Sequence, residues 1–372
     1  MMRIAYIIDS MYNSGGMERV LTVCANALSD FYSITIITGF QQKRSYFFNL
    51  SSKVRCHDLD IIEDKPYKKK KVYKDKLSCY LKKESFDVVV SLGGLEYNFL
   101  YSIHDGSKKL VWFHFAIDIA KTVWVGPNPN ILKRIKSNLQ TLKRIYIAKK
   151  YDNIIVISNS DSNAWKKYTS KVIHIYNPIT INSPVQSKLQ SKSVISVGRL
   201  DYQKGYDLLI DAWSVVAKKY RDWRLDIYGD GEQKNLLQAK INDLNLSSSI
   251  YLCGGVTNIS EKYADHSIYV MSSRAEGLGL VLLEAASCGL PLISFDCPSG
   301  PGEIIQDGVN GFLVSKVGDI NSLAEKICLL ISDELLRVKM GRDAKKTVDI
   351  FSLQNIIKQW RKLYDELGHN EN

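Results

Sequence analysis

The chain has 372 residues, 45% hydrophobic and 24% charged, with a formal net charge of +11. That is enough for two domains of a soluble globular protein. The absence of any run of 18 apolar residues argues against a membrane span, and seven scattered cysteines without a CxxC pair argue against a zinc module or a disulfide framework. The thiols are expected to be buried in a reducing cytoplasm, and Ile4–Ile8, which runs into Asp9, reads as a first strand rather than a secretory signal. The charge is uneven. Residues 1–190 hold 29 Lys and Arg against 15 Asp and Glu, whereas residues 191–372 hold 21 against 24. An anionic partner for the first half, or simply a basic solvated surface, fits that asymmetry.

Arg3–Ile8 is an apolar run of the buried parallel-strand kind. The turn Asn13–Glu18, with Gly15 and Gly16, precedes the helical period of Arg19–Leu28. Such a glycine turn lets the backbone approach a phosphate or a sugar, or merely turns the chain. Ser33–Thr38 is a second strand. Lys65–Lys83 holds Lys68–Lys71 and Lys82–Lys83 with Tyr67, Tyr73 and Tyr80 among them, a pattern suited to anionic lipid and equally to an exposed helix face. Strands follow at Asp87–Leu92 and Leu110–Phe115, with His114 at the end of the latter. Sites on parallel sheets collect at strand ends, although a lone histidine there is usually structural. Trp124–Asn130 is a loop, Ile131–Lys150 a basic helix and Asn153–Ser158 a strand; Val172–Tyr176 leads to Asn177 and Pro178. Residues 183–192, with Ser183, Pro184, Ser187 and Ser191, form the predicted linker.

The alternation then restarts. Ser193–Val197 is a strand, Gly198–Gly205 a loop and Tyr206–Tyr220 a helix; Trp223–Tyr228 is a strand ending in Gly229, Asp230 and Gly231. The helix Leu236–Leu244 and the strand Ile250–Cys253 follow, the latter ending in Gly254 and Gly255. Ser267–Ser272 is a strand, Arg274–Gly279 a turn holding Glu276, Gly277 and Gly279, and a helix runs from Leu280 to a stop at Gly289 and Pro291. Pro291–Phe295 and Gly311–Val314 are the last strands, and Leu323–Ile331, Glu334–Thr347 and Phe351–Leu367 the last helices.

In a parallel sheet all the second-half strand ends face one edge. That edge gathers Arg199, Lys204, Gly229, Glu276, Gly277, Gly279, Glu284 and Glu303. Two cations beside glycine turns suit a diphosphate, and an acid on the following helix suits vicinal hydroxyls. Neither GxGxxG nor GxxxxGK[ST] occurs, which disfavours hydride transfer and P-loop hydrolysis. Asp230 and Glu232 have a spacing a metal site could use, but acids after a strand are more often turn residues.

Val197–Leu200 with Lys204 and Gly205, Tyr228–Gly231, Glu276–Leu280 with Glu284, and Gly300–Glu303 together resemble the family-4 retaining glycosyltransferases of GT-B fold, and Gly15–Arg19 and Tyr176–Pro178 fit too. The resemblance covers nearly the whole chain. It implies an α/β fold of two doubly wound, Rossmann-like domains facing across a cleft: 1–182 binding the acceptor, a linker at 183–192, 193–350 binding the donor, and a helix at 351–372 returning to the first domain. Arg199 and Lys204 would hold the donor diphosphate, Glu284 the ribose, and Glu276 with Gly277, Leu278, Gly279 and Leu280 the transferred sugar. Gly229 would line the donor site, Gly15 and Gly16 would close on the phosphates, and His114 would stand near sugar and acceptor. The family commonly has phenylalanine where Leu278 stands, a mild departure because the backbone does the binding.

The expected activity is retaining transfer of a hexose or N-acetylhexosamine from a UDP-sugar to a lipid-linked or growing surface glycan such as a capsule or O-antigen. No cofactor, no metal and no nucleic acid are called for. The basic first domain would rest on the anionic inner face of the cell membrane. A nucleotide-sugar 2-epimerase on the same scaffold and a non-catalytic membrane-surface or nucleic-acid-binding protein are the alternatives.

Overall fold

A computed structural model describes residues 1–63, 65–126, 129–181 and 185–369, without the side chains of Tyr67 and Trp124. Ser183 and Pro184 of the expected linker lie outside the described residues. The first half contains β1 (Arg3–Ile8), α1 (Gly16–Leu28), β2 (Ser33–Thr38), β3 (Arg55–Asp58), α2 (Pro66–Glu84), β4 (Val88–Ser91), β5 (Lys108–Phe113), α3 (Ile131–Ala148), β6 (Asn153–Val156), α4 (Asn159–Lys166) and β7 (Val172–His174). The second contains β8 (Ser193–Val197), α5 (Tyr206–Lys219), β9 (Arg224–Tyr228), α6 (Lys234–Asp243), β10 (Ile250–Gly254), α7 (Ile259–Ala264), β11 (Ile268–Met271), α8 (Leu280–Ser287), β12 (Leu292–Phe295), α9 (Pro301–Ile304), β13 (Gly311–Val314), α10 (Ile320–Ser332) and α11 (Glu334–Thr347), before α12 (Leu353–His369).

Two parallel sheets result. One has the order β3-β2-β1-β4-β5-β6-β7, the other β10-β9-β8-β11-β12-β13. Each winds outward in both directions from its first strand, the doubly wound Rossmann arrangement, with a switch point between β1 and β4 and between β8 and β11. In-register pairs such as Ile4 with Val88 and Tyr269 with Ile195 carry the apolar runs through the middle of each sheet, where both faces are buried.

The chain divides into two compact units: Met1–Ile117, Leu139–Thr180 and Leu353–Asn372 in the first, and Asp118–Asn138 with Ile181–Ser352 in the second. This differs from the boundaries expected from the sequence. Ile131–Asn138, the first part of α3, buries only Ser137, so little ties it to the first sheet. Nor does the expected linker hang free after Pro184. Ser187 N donates to Cys288 O at 2.9 Å, Gln186 Nε2 to Ser287 O at 3.0 Å, and Arg337 Nε to Leu189 O at 3.1 Å.

In the first unit Ala5, Ile7, Val89, Val111 and Ile154 of the strands pack with Tyr73, Leu77 and Leu81 of α2. Also in this unit, Tyr6 and Trp112 meet α12. Trp112 and Trp360 lie 4.8 Å apart edge to face, and the Tyr6 and Tyr364 hydroxyls are 2.5 Å apart. In the second unit Trp213 of α5 and Ile327 and Leu330 of α10 close over Val194, Leu225, Val270 and Ile293. The cysteines depart from expectation. Cys24, Cys288 and Cys297 are buried, whereas Cys56, Cys79 and Cys253 are exposed.

Candidate active site

The second sheet's switch point is where the loops after β8 and β11 leave side by side. Backbone and side-chain bonds join them. Arg274 N donates to Gln203 O at 2.7 Å, Gln203 Nε2 to Ala275 O at 2.9 Å, and Ser272 Oγ to Lys204 O at 2.9 Å. Arg274 also forks onto Asp207 at 2.8 and 2.6 Å. Gly205 permits this closeness. Its φ is +66°, and a Cβ there would lie 2.2 Å from Ser272 O. Asp201 accepts from Lys204 N at 3.1 Å and fixes the turn that presents the lysine.

The result is a charged pair in a nearly closed setting. Lys204 Nζ lies 2.7 Å from Glu276 Oε1, with the two side chains 15% and 7% exposed. Ser273 Oγ donates to the same carboxylate oxygen at 2.5 Å. Gly277–Gly279 then turn into α8, whose first residue is Leu280, so the positive end of that helix begins four residues after Glu276, with no side-chain cap on it. Leu278 is buried, which leaves its backbone as the polar group at that position.

The other expected residues fall into different settings. Glu284 is buried on the second turn of α8 and accepts from Tyr263 Oη at 3.2 Å. Gly229 follows β9 with φ +141°, and a Cβ there would strike Gly198 O at 2.0 Å, so this residue supports the loop carrying Arg199. Arg199 is not brought into the Lys204–Glu276 pair. It stands outside, 71% exposed, 3.1 Å from Asp201. The Asp230 carboxylate is committed to Lys234 Nζ and Gly255 N, both at 2.9 Å, and the lysine holds it below the usual carboxylate range.

In the first unit Gly15 precedes α1 and Gly16 opens it. The Glu18 carboxylate folds back over this helix start, so that a Cβ on Gly15 would lie 2.3 Å from Glu18 Oε2. An acid placed there already satisfies the positive helix end. His114, just beyond β5, is 7% exposed; its Nδ1 is 3.4 Å from Asn177 Nδ2, and its buried Nε2 has no hydrogen-bond partner among the described residues. Burial pushes its pKa down to about 3, so the imidazole is neutral around pH 7.

One cluster escaped the sequence reading. At the first sheet's switch point Glu96 is fully buried, accepting from Ser91 Oγ at 2.6 Å and Gly94 N at 3.2 Å. Asp9 is its neighbour: a Cβ on Gly94 would lie 2.5 Å from Glu96 Oε2 and 2.7 Å from Asp9 Oδ1. Burial, then the Asp9 charge, raises the Glu96 carboxyl to about 7, and burial raises Asp9 too. The available signal was Gly93-Gly94 directly after a switch-point strand. A glutamate five residues beyond a strand gives no hint of burial by itself.

Several proteins that this chain resembles are named glycosyltransferases. A family model described as glycosyl transferases group 1 matches residues 180–347, the stretch that holds the Lys204–Glu276 pair. An uncharacterized glycosyltransferase of Methanocaldococcus jannaschii is 33% identical over 65% of this chain and 71% of its own length. One from Haemophilus influenzae is 28% identical over 97% of this chain and 99% of its own. A Campylobacter jejuni enzyme, named as an α-1,4-N-acetyl-D-galactosaminyltransferase acting on a diphosphate-undecaprenol-linked glycan, is 26% identical over 99% of each. Among solved structures, Staphylococcus aureus TarM with UDP bound superposes with a TM-score of 0.80 at 18% identity, covering 98% of this chain and all of that one. The lipopolysaccharide outer core galactosyltransferase WaaB does so at 0.76 and 21%, over 98% of this chain and all of that one, so the fold is GT-B. With fold, motif frame and relatives agreeing, the chain belongs to the group 1 glycosyl transferases and is a glycosyltransferase enzyme.

Proposed function

We propose that the protein is a retaining transferase that moves a hexose or N-acetylhexosamine from a UDP-sugar onto a lipid-linked glycan destined for the cell surface. The observation that carries this reading is the Lys204–Glu276 pair at 2.7 Å beside the start of α8. In the free enzyme each charge neutralises the other. An arriving diphosphate draws Lys204 toward itself, and Glu276 is released to accept hydrogen bonds from sugar hydroxyls. Lys204, the α8 N–H groups and, once it swings from Asp201, Arg199 offset the charge that grows on the departing diphosphate. With those positive groups at hand the reaction needs no divalent metal. Glu284 takes the ribose hydroxyls. In the first unit His114, held neutral, offers its Nε2 to the acceptor as a hydrogen-bond partner.

The sugar nucleotide and acceptor class rest on the relatives: TarM was solved with UDP, WaaB is named for lipopolysaccharide, and the Campylobacter enzyme for a lipid-linked substrate. The acceptor then places the enzyme at the inner face of the cell membrane. No described helix is long and apolar enough to cross a membrane, so attachment would be peripheral. The test is transfer from a panel of UDP-sugars to a diphosphate-lipid-linked acceptor, with the anomeric configuration of the product read by NMR and EDTA present. Retained configuration, and loss of transfer in Lys204→Ala with the fold intact, support the reading. Inversion, dependence on a metal, full activity in Lys204→Ala, or conversion of the UDP-sugar to its 2-epimer without acceptor would overturn it.

A further inference from the structure

Helix α3 is built the wrong way round for a water-facing helix. Ile131, Leu132, Ile135, Leu139, Leu142 and Tyr146 are each 53–74% exposed. At 100° per residue their positions fall within a single arc of roughly 100°, the width of stripe that a globular helix normally turns toward its core. The opposite side buries Ser137, Thr141, Ile145 and Ala148. The helix is anchored on that side. Arg144 donates to Phe115 O at 2.9 Å and stacks 4.2 Å over the Phe113 ring, and Tyr97 Oη donates to Arg144 O at 2.5 Å. The part of the stripe at Leu139, Leu142 and Tyr146 is therefore held in the first unit, and among the described residues the whole stripe is exposed. Six large apolar side chains in one exposed row exceed the scattered exposure of an ordinary surface.

The geometry points to α3 as the surface by which this protein lies on an anionic lipid bilayer, its apolar stripe entering the headgroup boundary. The charge around the stripe selects that occupant. Lys133, Arg134, Lys136 and Lys143 share the helix and are exposed, as are Lys149 and Lys150 just beyond it. A second copy would set these cations against their own kind, whereas an anionic bilayer meets both stripe and cations favourably. The lysine-rich helix α2, which the sequence singled out for lipid, lacks the other half of the device. Its Tyr73, Leu77 and Leu81 are fully buried in the core, and among its described side chains the exposed ones are mostly lysine, with no large apolar residue. Those described side chains attract a negative surface but offer no apolar row to insert.

This assignment rests on the membrane-side transferase reading for its purpose, and its test uses neither donor nor acceptor, so the two can fail separately. Sedimentation with vesicles of phosphatidylcholine alone, and with phosphatidylglycerol added, is measured for the wild type and for the triple variant Ile135→Ser, Leu139→Ser, Leu142→Ser. The wild type is expected to bind the anionic vesicles and to keep part of that binding in high salt, because apolar insertion is not screened. The triple variant should bind at least roughly tenfold more weakly, with an unchanged melting profile and an unchanged thermal shift on adding UDP. Leu139→Asp carries the same test should the triple variant not fold. Equal binding of variant and wild type, no binding of the wild type, or a wild-type dimer dispersed by the triple variant would overturn the assignment.

Discussion

Glu276 and Lys204 form one ion pair, and on the proposed reading their substitutions should separate binding from transfer. Glu276→Gln removes a charge that competes with the diphosphate for Lys204, while the amide can still accept from Ser273. UDP binding, read by thermal shift, should be retained or tighten a few-fold, while transfer falls by about a hundredfold or more, the scale of losing a group that acts in the transition state. Weakened UDP binding would show that Glu276 helps to hold the nucleotide instead. These two residues were legible because their chemistry comes with a spacing: a strand, a glycine turn and an acid just before a helix. Glu96 was not, since burial is a property of the sheet around it. Its carboxyl is raised from 4.5 to about 7, chiefly by burial, so the protonated form is the one the fold prefers. Stability is then fully present below pH 4.5 and is lost as pH rises through 7, by about 3 kcal/mol at about 1.4 kcal/mol per unit. Glu96→Gln keeps acceptors for Ser91 and Gly94 and should remove that loss, raising the melting temperature at pH 8 and leaving it nearly unchanged at pH 4.5. Parallel melting curves of the two proteins across that range would refute the protonation argument.

At the scale of elements, the strands that the sequence exposes best are those buried on both faces. Ser33–Thr38 and Ser193–Val197 coincide with β2 and β8. The edge strand β3, Arg-Cys-His-Asp, has no apolar run or alternation and pairs on one side only with β2, so nothing in its composition announces it. The helix α4 likewise begins in what reads as a serine-rich turn, because Ser158 is its N-cap and accepts from Asp161 N. Loops at the active site are held by glycine for a reason the sequence only hints at. Gly205 starts α5 in the left-handed region with no room for a Cβ beneath Ser272. Gly205→Ala should cost about 2–4 kcal/mol from the steric strain and the separation of the two loops, and it should displace Lys204 enough to weaken the UDP thermal shift. A variant with wild-type melting and UDP response would mean that the loops part without consequence.

For the whole molecule, the first unit is assembled from three stretches of chain, the last of which is α12 at the far end of the sequence. The amphipathic pattern of that helix was legible; its partners, Tyr6 and Trp112, were not, because nothing in a sequence ties residues 6 and 112 to 360 and 364. Truncation after Ser352 removes Ile356, Ile357, Trp360, Leu363 and Tyr364, all buried. At about 1.5–3 kcal/mol per buried side chain the loss is on the order of 10 kcal/mol, comparable to the entire stability of a domain. The second unit keeps its own core of α5, α10 and the β8–β13 sheet. Calorimetry of the truncated chain should therefore show the first unit's unfolding transition gone and the second unit's kept. UDP should still raise the remaining transition, since Lys204, Glu276 and Glu284 all lie in the surviving unit. Two intact transitions would mean that the β1–β7 sheet is stable without its C-terminal helix, and a single lost one that no longer responds to UDP would mean that donor binding draws on the first unit as well.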